Sequence, residues 1–153
     1  MQAVIQTLFG TMGAVGFSVL FNVRGKKIAA SALGAAVSWS VYLAIFQRYG
    51  DKVISLLGAT ITAAILSEIL ARVLKAPVII LLVPMLVPMI PGSDLYYTTT
   101  NLVQGNAVLF AEYLSLVMRE AGAIAFGIIL VTCMVQVILK VYHHFVPGPG
   151  TLR

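Results

Sequence analysis

The sequence predicts an all-α, polytopic integral membrane protein with about five transmembrane helices. Of its 153 residues, 60% are hydrophobic and 10% are charged, and the mean hydropathy is +1.01. Soluble domains are closer to about half apolar and about a quarter charged. Uncharged stretches long enough to cross a bilayer recur along the chain, and one apolar stretch contains four prolines. We therefore expect one transmembrane domain over residues 1–153, in which one helix is broken by proline.

Four stretches are predicted to cross the membrane as regular helices. A hydrocarbon core about 30 Å thick requires roughly 20 consecutive apolar residues in a helix. Residues 1–23 and 28–47 carry no charge and form the first two predicted spans. The third is 53–70, which must include Glu68 to reach this length, and the last is the uncharged run 121–139.

The remaining predicted span, 76–90, cannot be a regular helix. A proline inside a helix has no N–H for the carbonyl four residues earlier, and each such case costs about 3 kcal/mol. Three prolines would have this effect: Pro84, Pro88 and Pro91. The carbonyls they free lie on one helix face: those of Ile80, Pro84 and Val87. Broken helices often form substrate or ion sites in transporters, although packed neighbours can also seal a kinked structural helix. Both interpretations stay open for this segment.

Residues 98–118 contain no Lys or Arg, but they combine polar side chains with helical apolar spacing. They would lie in the membrane interface, re-enter the membrane, or cross it as a polar span. If they do not cross, the ten basic residues divide seven inside against three outside; if they cross, the division is six against four. The positive-inside rule therefore favours an additional interfacial or re-entrant helix, with the N-terminus outside and the C-terminus inside.

Three carboxylates are candidates for proton coupling: Glu68, Asp94 and Glu112. Glu68 precedes Arg72 by four residues, a spacing that also suits a helical ion pair near the membrane surface. Asp94 follows a Pro-Gly-Ser sequence and would either cap the next helix or place an acidic group at the mouth of the broken segment. Glu120 and its neighbour Arg119 are expected to be solvated at a helix end.

No set of residues points to catalysis or to a cofactor. The sequence lacks a glycine-rich phosphate loop, a nucleophile elbow and a paired metal-ligand motif, so we expect no enzyme activity. His143 and His144 make a poor metal site, because the sequence offers one distant cysteine, Cys133, and no nearby carboxylate as further ligands. Because no basic run is interleaved with aromatic residues, we also expect no nucleic-acid binding.

Two short motifs point to a known family. Residues 16–23, Gly-Phe-Ser-Val-Leu-Phe-Asn-Val, are similar to an early Gly-Phe…Phe-Asn-Val signature. Residues 88–96 are similar to a Pro-Met-x-Pro-Gly-x-x-x-Tyr signature, in which Asp94 occupies a variable position. With these motifs in this order, the chain resembles the bacterial threonine/serine exporter family, specifically its small all-membrane subunit, over nearly its whole length.

The resemblance implies a multi-pass protein of the bacterial inner membrane and a larger partner subunit with its own spans and a hydrophilic domain. It also implies export of threonine and serine, or of small dicarboxylates such as succinate, driven by the proton-motive force. Many stand-alone secondary transporters contain two related repeats, whereas this chain has about five predicted spans and no clear repeat. We therefore expect a unit that works with copies of itself or with a different subunit.

The leading hypothesis is a subunit of a secondary exporter for a small polar substrate. Gly92 would allow the tight turn after the broken helix, with Tyr96 or Asp94 at its mouth. The predicted path comprises eight residues: Ile80, Pro84, Val87, Pro88, Pro91, Gly92, Asp94 and Tyr96. The alternatives are a non-transporting subunit that stabilises a partner transporter, and a passive homo-oligomeric pore.

Overall fold

The structure, a computed structural model, describes residues 2–145 and the side chains of residues 3–141. In this range the chain is helical and contains no strand, which confirms the all-α prediction. The helices are α1 (Gln2–Leu20), α2 (Lys26–Tyr49), α3 (Lys52–Val73), α4 (Val78–Leu86), α5 (Gly92–Val103) and α6 (Ala107–Phe145). The side chains of His143, His144 and Arg153 lie outside the described part.

Four of the helices are long and apolar enough to span a membrane: α1, α2, α3 and α6. The segments Val78–Met89 and Gly92–Val103 together pass the same test as a broken pair bent by 59°. The prediction of about five spans with one proline-broken helix is therefore confirmed.

The break is shorter than the four prolines suggest. Helix α4 continues through Pro84 and is followed by a 3₁₀ turn at Val87–Met89. In this tighter turn the N–H of Ile90 donates to the carbonyl of Val87 at 3.3 Å. The prediction that the Val87 carbonyl is free is therefore wrong, because a 3₁₀ bond reaches back three residues and does not need an N–H from Pro91.

Helices α2 and α3 form an antiparallel pair joined by a tight connection. Gly50 ends α2 with φ 69°, a left-handed conformation that glycine adopts without steric cost, and its N–H donates to the carbonyl of Phe46 at 2.8 Å. Asp51 then caps α3 by accepting a hydrogen bond from the N–H of Ile54 at 2.9 Å. This connection fixes Lys52 as the first residue of α3.

The core lies between α2, α3, α4 and α6 and is built from small and flexible side chains. Ala59 and Ala63 of α3 are fully buried, as are Leu81 and Met85 of α4. Met85 lies directly against Gly34 of α2, so a side chain at position 34 would collide with its thioether. Small residues thus allow α4 to pack closely against its neighbours despite its proline.

Helix α6 begins at Ala107 and continues without interruption past the predicted start of the last span at residue 121. Its later part runs parallel to α3, since Glu120 lies near Lys52 at one end and Gly127 lies against Thr60 further along. At 39 residues, α6 is roughly 58 Å long. That is about twice the hydrocarbon thickness of a bilayer, so one part of α6 extends beyond the bundle.

The ambiguous segment 98–118 forms a helical hairpin from the end of α5 and the start of α6. Tyr97 and Tyr113, which are equally distant from the connecting turn, stack with ring centroids 5.2 Å apart. Among the helices described, α5 packs along α6 alone. Helix α5 extends beyond the level at which α3 starts, and the first part of α6 leads the chain back to that level. The hairpin therefore does not run from one end of the helix bundle to the other.

Candidate functional site

A cavity of about 290 Å³ lies where the helix break meets the start of α3. Its wall is formed by five segments: α2, α3, the helix break, α5 and α6. The lining residues are Trp39, Tyr42, Lys52, Leu56, Pro88, Met89, Ile90, Pro91, Gly92, Ser93, Asp94 and Glu120. Ligand pockets commonly have volumes of about 300–1,000 Å³, so this cavity suits a small ligand.

An ion pair joins α3 to α5 in this cavity. The Nζ of Lys52 donates to Oδ2 of Asp94 at 2.7 Å. The side chain of Asp94 is 7% exposed, whereas that of Lys52 is 39% exposed. Asp94 does not cap α5, because that helix has no side-chain cap and Asp94 lies within its first turn. A carboxylate in this first turn is favoured by the helix dipole.

Glu120 brings a second carboxylate to the same cavity. It is only 1% exposed, and its Oε2 has no hydrogen-bond donor among the residues that the structure describes. The expectation that Glu120 is solvated is therefore wrong. Its neighbour Arg119 is exposed and directs its guanidinium to the carbonyl of Ser115 at 3.4 Å, so it does not pair with Glu120.

Trp39 supplies an unused hydrogen-bond donor. Its ring stacks on Tyr42 with centroids 4.7 Å apart and planes 15° apart, which fixes the orientation of the indole. The indole N–H is buried and has no acceptor within the described part of the chain. An unmade hydrogen bond at a buried polar group costs about 1–3 kcal/mol. Two of the four such side chains in the described residues, Trp39 and Glu120, line this one cavity, which makes it the candidate site.

The lining of the cavity combines groups suited to both kinds of charge. The indole N–H of Trp39 and the N–H groups at the start of α5 are of the type that donates to an anionic group. The free oxygen of Glu120 is an acceptor for a cationic group or a hydroxyl. Proline-broken backbone forms one wall of the cavity, in keeping with the rule that irregular backbone at membrane depth lines a cavity or protein.

Four of the eight residues predicted for the path line this cavity: Pro88, Pro91, Gly92 and Asp94. The other four do not. Pro84 is buried in the core. Ile80 lies in α4 and Val87 is the first residue of the 3₁₀ turn, and neither lines the cavity. Tyr96 is 66% exposed on the outer face of α5.

The other two predicted coupling carboxylates lie elsewhere. Oε2 of Glu68 pairs with Nη1 of Arg72 at 2.6 Å. This pair is 16 or more residues along α3 from Lys52, which corresponds to roughly 24 Å. Glu112 is exposed on the α5–α6 hairpin.

Among the cavity residues that sequence reasoning missed are Trp39, Lys52 and Glu120. A signal for Glu120 was present, because Val117, Ala123 and Ile124 lie three or four residues from it and mark the same helix face as apolar and inward. Lys52 carried no such signal, since its partner is 42 residues away in the sequence.

Comparison with known proteins supplies the family. A family model described as "Threonine/Serine exporter, ThrE" matches residues 6–134. The chain belongs to this family. Neither the curated proteins nor the solved structures gave a match. Membership identifies an exporter-type, multi-pass membrane protein and points to transport rather than catalysis.

Proposed function

We propose that this chain is a membrane subunit of a proton-driven exporter of threonine and serine, and that the substrate passes through the cavity at the helix break. The observation that carries the proposal is the pair of unused polar groups in this cavity, the Glu120 carboxylate oxygen and the Trp39 indole N–H. Both are buried beside the ion pair between Lys52 and Asp94. The whole chain is proposed to act as one transmembrane domain.

The charges of the cavity favour an amino acid over a dicarboxylate. A zwitterion would direct its carboxylate to Trp39 and the start of α5, and its ammonium group to Glu120. The hydroxyl of threonine or serine would add a group able to donate or accept a hydrogen bond. A dicarboxylate would meet two protein carboxylates, Asp94 and Glu120, at close range, and like charges disfavour binding.

The distribution of basic residues supports the proposed orientation in a bacterial inner membrane. One end of the helix bundle carries six basic residues: Arg24, Lys26, Lys27, Arg72, Lys75 and Lys140. The opposite end carries Arg48 at the end of α2, Lys52 at the start of α3 and Arg119 in the adjoining part of α6. By the positive-inside rule the first end faces the cytoplasm, so the cavity opens toward the outer side. Cysteines introduced at positions 75 and 49 should then be labelled only from inside and only from outside, respectively.

A partner subunit is proposed to cover the α5–α6 hairpin. This hairpin extends past the level of the charged α2–α3 connection, yet residues 95–118 carry one charge, Glu112. Large apolar side chains are exposed on it, among them Leu102, Val103, Val108 and Met118. Such a surface beyond the membrane level indicates contact with protein.

The direct test is export of L-threonine and L-serine, measured as uptake into inverted membrane vesicles that contain the chain with and without a co-purifying larger subunit. Replacing Pro88 and Pro91 together with alanine should restore regular helix and reduce uptake by about tenfold. Gly13→Ala is the matched control, because a side chain there meets no other atom within 4 Å. Unchanged uptake by the double variant at normal membrane levels would reject a path through the break.

Two further outcomes separate the alternatives. A photoreactive threonine analogue should attach within residues 88–94 if this chain lines the path, and to the partner alone if the chain is a scaffold. Uptake that persists after the proton gradient is collapsed would indicate a passive pore.

A further inference from the structure

The charges within the cavity do not balance. Two carboxylates, Asp94 and Glu120, and one lysine, Lys52, are the charged residues among those that line it. Lys52 is committed to Asp94 through the 2.7 Å contact between Nζ and Oδ2. Glu120 is left without a cation, and it is almost completely buried.

Among the residues that the structure describes, no other charged or titratable group at the cavity supplies the missing positive charge. Three titratable groups face Glu120. They are Tyr42 on α2, Lys52 on α3 and Asp94 on α5. On its own helix the neighbouring Arg119 is exposed and bonded to the carbonyl of Ser115. Because a buried and uncompensated carboxylate is strongly disfavoured, the cavity requires one additional positive charge whenever Glu120 is ionised.

We infer that the Glu120 carboxylate is the binding site for one exchangeable monovalent cation, which is a proton in one state and the ammonium group of the substrate in another. This inference rests on the proposed function and adds the residue at which transport and proton movement are linked. Since one oxygen cannot hold both cations, the arrival of one requires the departure of the other. A substrate leaving outward and a proton entering inward would then exchange at the same carboxylate.

The ion pair assigns different roles to the two acidic residues. Lys52 pairs with Asp94 and offsets its charge, so Asp94 is a positioning residue that ties the start of α5 to the start of α3. With Lys52 paired to Asp94, Glu120 is the one carboxylate left to accept a cation. A single acceptor that holds either one proton or one ammonium group gives a ratio of one proton to one substrate.

The donor set of the cavity favours an ammonium group over a metal ion. A hard divalent cation requires about six or more oxygen ligands. The free carboxylate oxygen of Glu120 instead lies in a cavity shared with the ammonium of Lys52 and the indole N–H of Trp39, which cannot act as ligands.

The first test uses a hydrophobic carbodiimide, which reacts with protonated carboxyl groups inside membrane proteins. In native membranes that contain the full chain, mass spectrometry should find the adduct at Glu120. Labelling should fall as the pH rises, and saturating L-threonine should reduce it by about tenfold or more. Glu120→Gln should abolish it, and Glu112→Gln, which removes an exposed carboxylate from the same helix, should leave it unchanged.

The second test measures the binding of L-threonine to the purified protein. In the acidic range the wild-type affinity should rise by about tenfold for each pH unit, because one proton must leave before the ammonium group binds, and then become constant. Glu120→Gln should lose this dependence. Glu120→Asp, which keeps the charge on a shorter side chain, should retain it and also controls for folding.

Several results would overturn the inference. They are labelling of Glu120 that L-threonine does not affect, a wild-type affinity that is independent of pH, and a pH dependence that survives in Glu120→Gln. Failure of the proposed function has a different signature, since a chain that does not export threonine would show no uptake into vesicles even where the carbodiimide marks Glu120 as protonated.

Discussion

Helix α3 carries an acid–base pair near each of its ends, and the two pairs differ in how far apart their residues lie in the sequence and in what lies beside them. Glu68 and Arg72 are four residues apart, with side chains 13% and 47% exposed. Lys52 and Asp94 are 42 residues apart, with side chains 39% and 7% exposed, and a second carboxylate, Glu120, lines the same cavity. The first pair requires only a helix, whereas the second requires the chain to break, turn and return to the start of α3.

The comparison also separates stability from function. The Glu68–Arg72 pair joins neighbouring turns of one helix and balances its own charge. The pair at the cavity leaves a third group, Glu120, without a cation. The Glu68–Arg72 pair has equal numbers of positive and negative charges. The cavity has one more carboxylate than lysine, and this excess charge is the basis of the cation exchange proposed at Glu120.

The largest contrast should come from removing the lysine or arginine of each pair. Lys52→Met leaves two buried carboxylates without a cation, so L-threonine uptake should fall by roughly 30-fold or more and the melting temperature in detergent by several degrees. Arg72→Met should stay within about twofold of wild type in uptake, because neither residue of its pair lines the cavity. Equal losses in the two variants would show that the two pairs do not differ as proposed.

A second contrast comes from neutralising each pair completely. Lys52→Met with Asp94→Asn should regain most of the thermal stability that Lys52→Met alone loses, because no unpaired charge is left on Asp94. Uptake should remain at least about tenfold low, since the contact that holds α5 against α3 is missing. The matched variant, Glu68→Gln with Arg72→Met, should resemble wild type in both assays. Recovery of uptake in the variant with Lys52→Met and Asp94→Asn would show that the Lys52–Asp94 pair is not required for transport.

A smaller effect is expected at the indole of Trp39. Trp39→Phe keeps a ring against Tyr42 but removes the buried N–H, so the affinity for L-threonine should weaken by about fivefold to tenfold, as for the loss of one hydrogen bond to a charged group. Tyr49→Phe, at the exposed end of the same helix, is the control. Isothermal titration with both variants measures the difference, and equal affinities would mean that the indole N–H does not contact the substrate.

The smallest effect should follow from Glu68→Gln. Uptake should change by less than about twofold, and the free energy of unfolding by about 0.5 kcal/mol or less. Thermal melts at low and high salt should bring variant and wild type together as screening increases. Loss of proton-driven uptake in this variant would instead identify Glu68 as a coupling residue.

Much of the fold could be predicted because its signals are local. Apolar runs predict the spans, and prolines in one of these runs predict the break. Gly50 and Asp51 are residue types that end one helix and cap the next, as they do between α2 and α3. The extent of the break was overestimated, because counting prolines ignores the 3₁₀ bond from Ile90 to Val87. The segment 98–118 was ambiguous because it forms a helical hairpin in which some polar side chains, such as Asn101, are buried and others, such as Glu112, are exposed. Spacing along the sequence does not distinguish the two.

The site was predicted only in part, for a related reason. Pro88, Pro91, Gly92 and Asp94 stood out because each departs from an ordinary apolar span. Lys52 resembled a residue at a membrane surface, and Glu120 resembled a solvated one, because a charge beside the end of an apolar run usually faces water. The inward face marked by Val117 and Ala123 contradicted that assignment for Glu120.

The sequence by itself determined the family, the membrane setting, the number of apolar helices and the existence of a break, since each depends on residues within about 20 positions of one another. The tertiary structure alone decided which charges meet. Lys52, Asp94 and Glu120 lie on three different helices, and only the packing of α3 and α6 against the broken segment brings them into one cavity. Electrostatic interaction depends on distance in space and on burial, and neither quantity is fixed by separation along the chain.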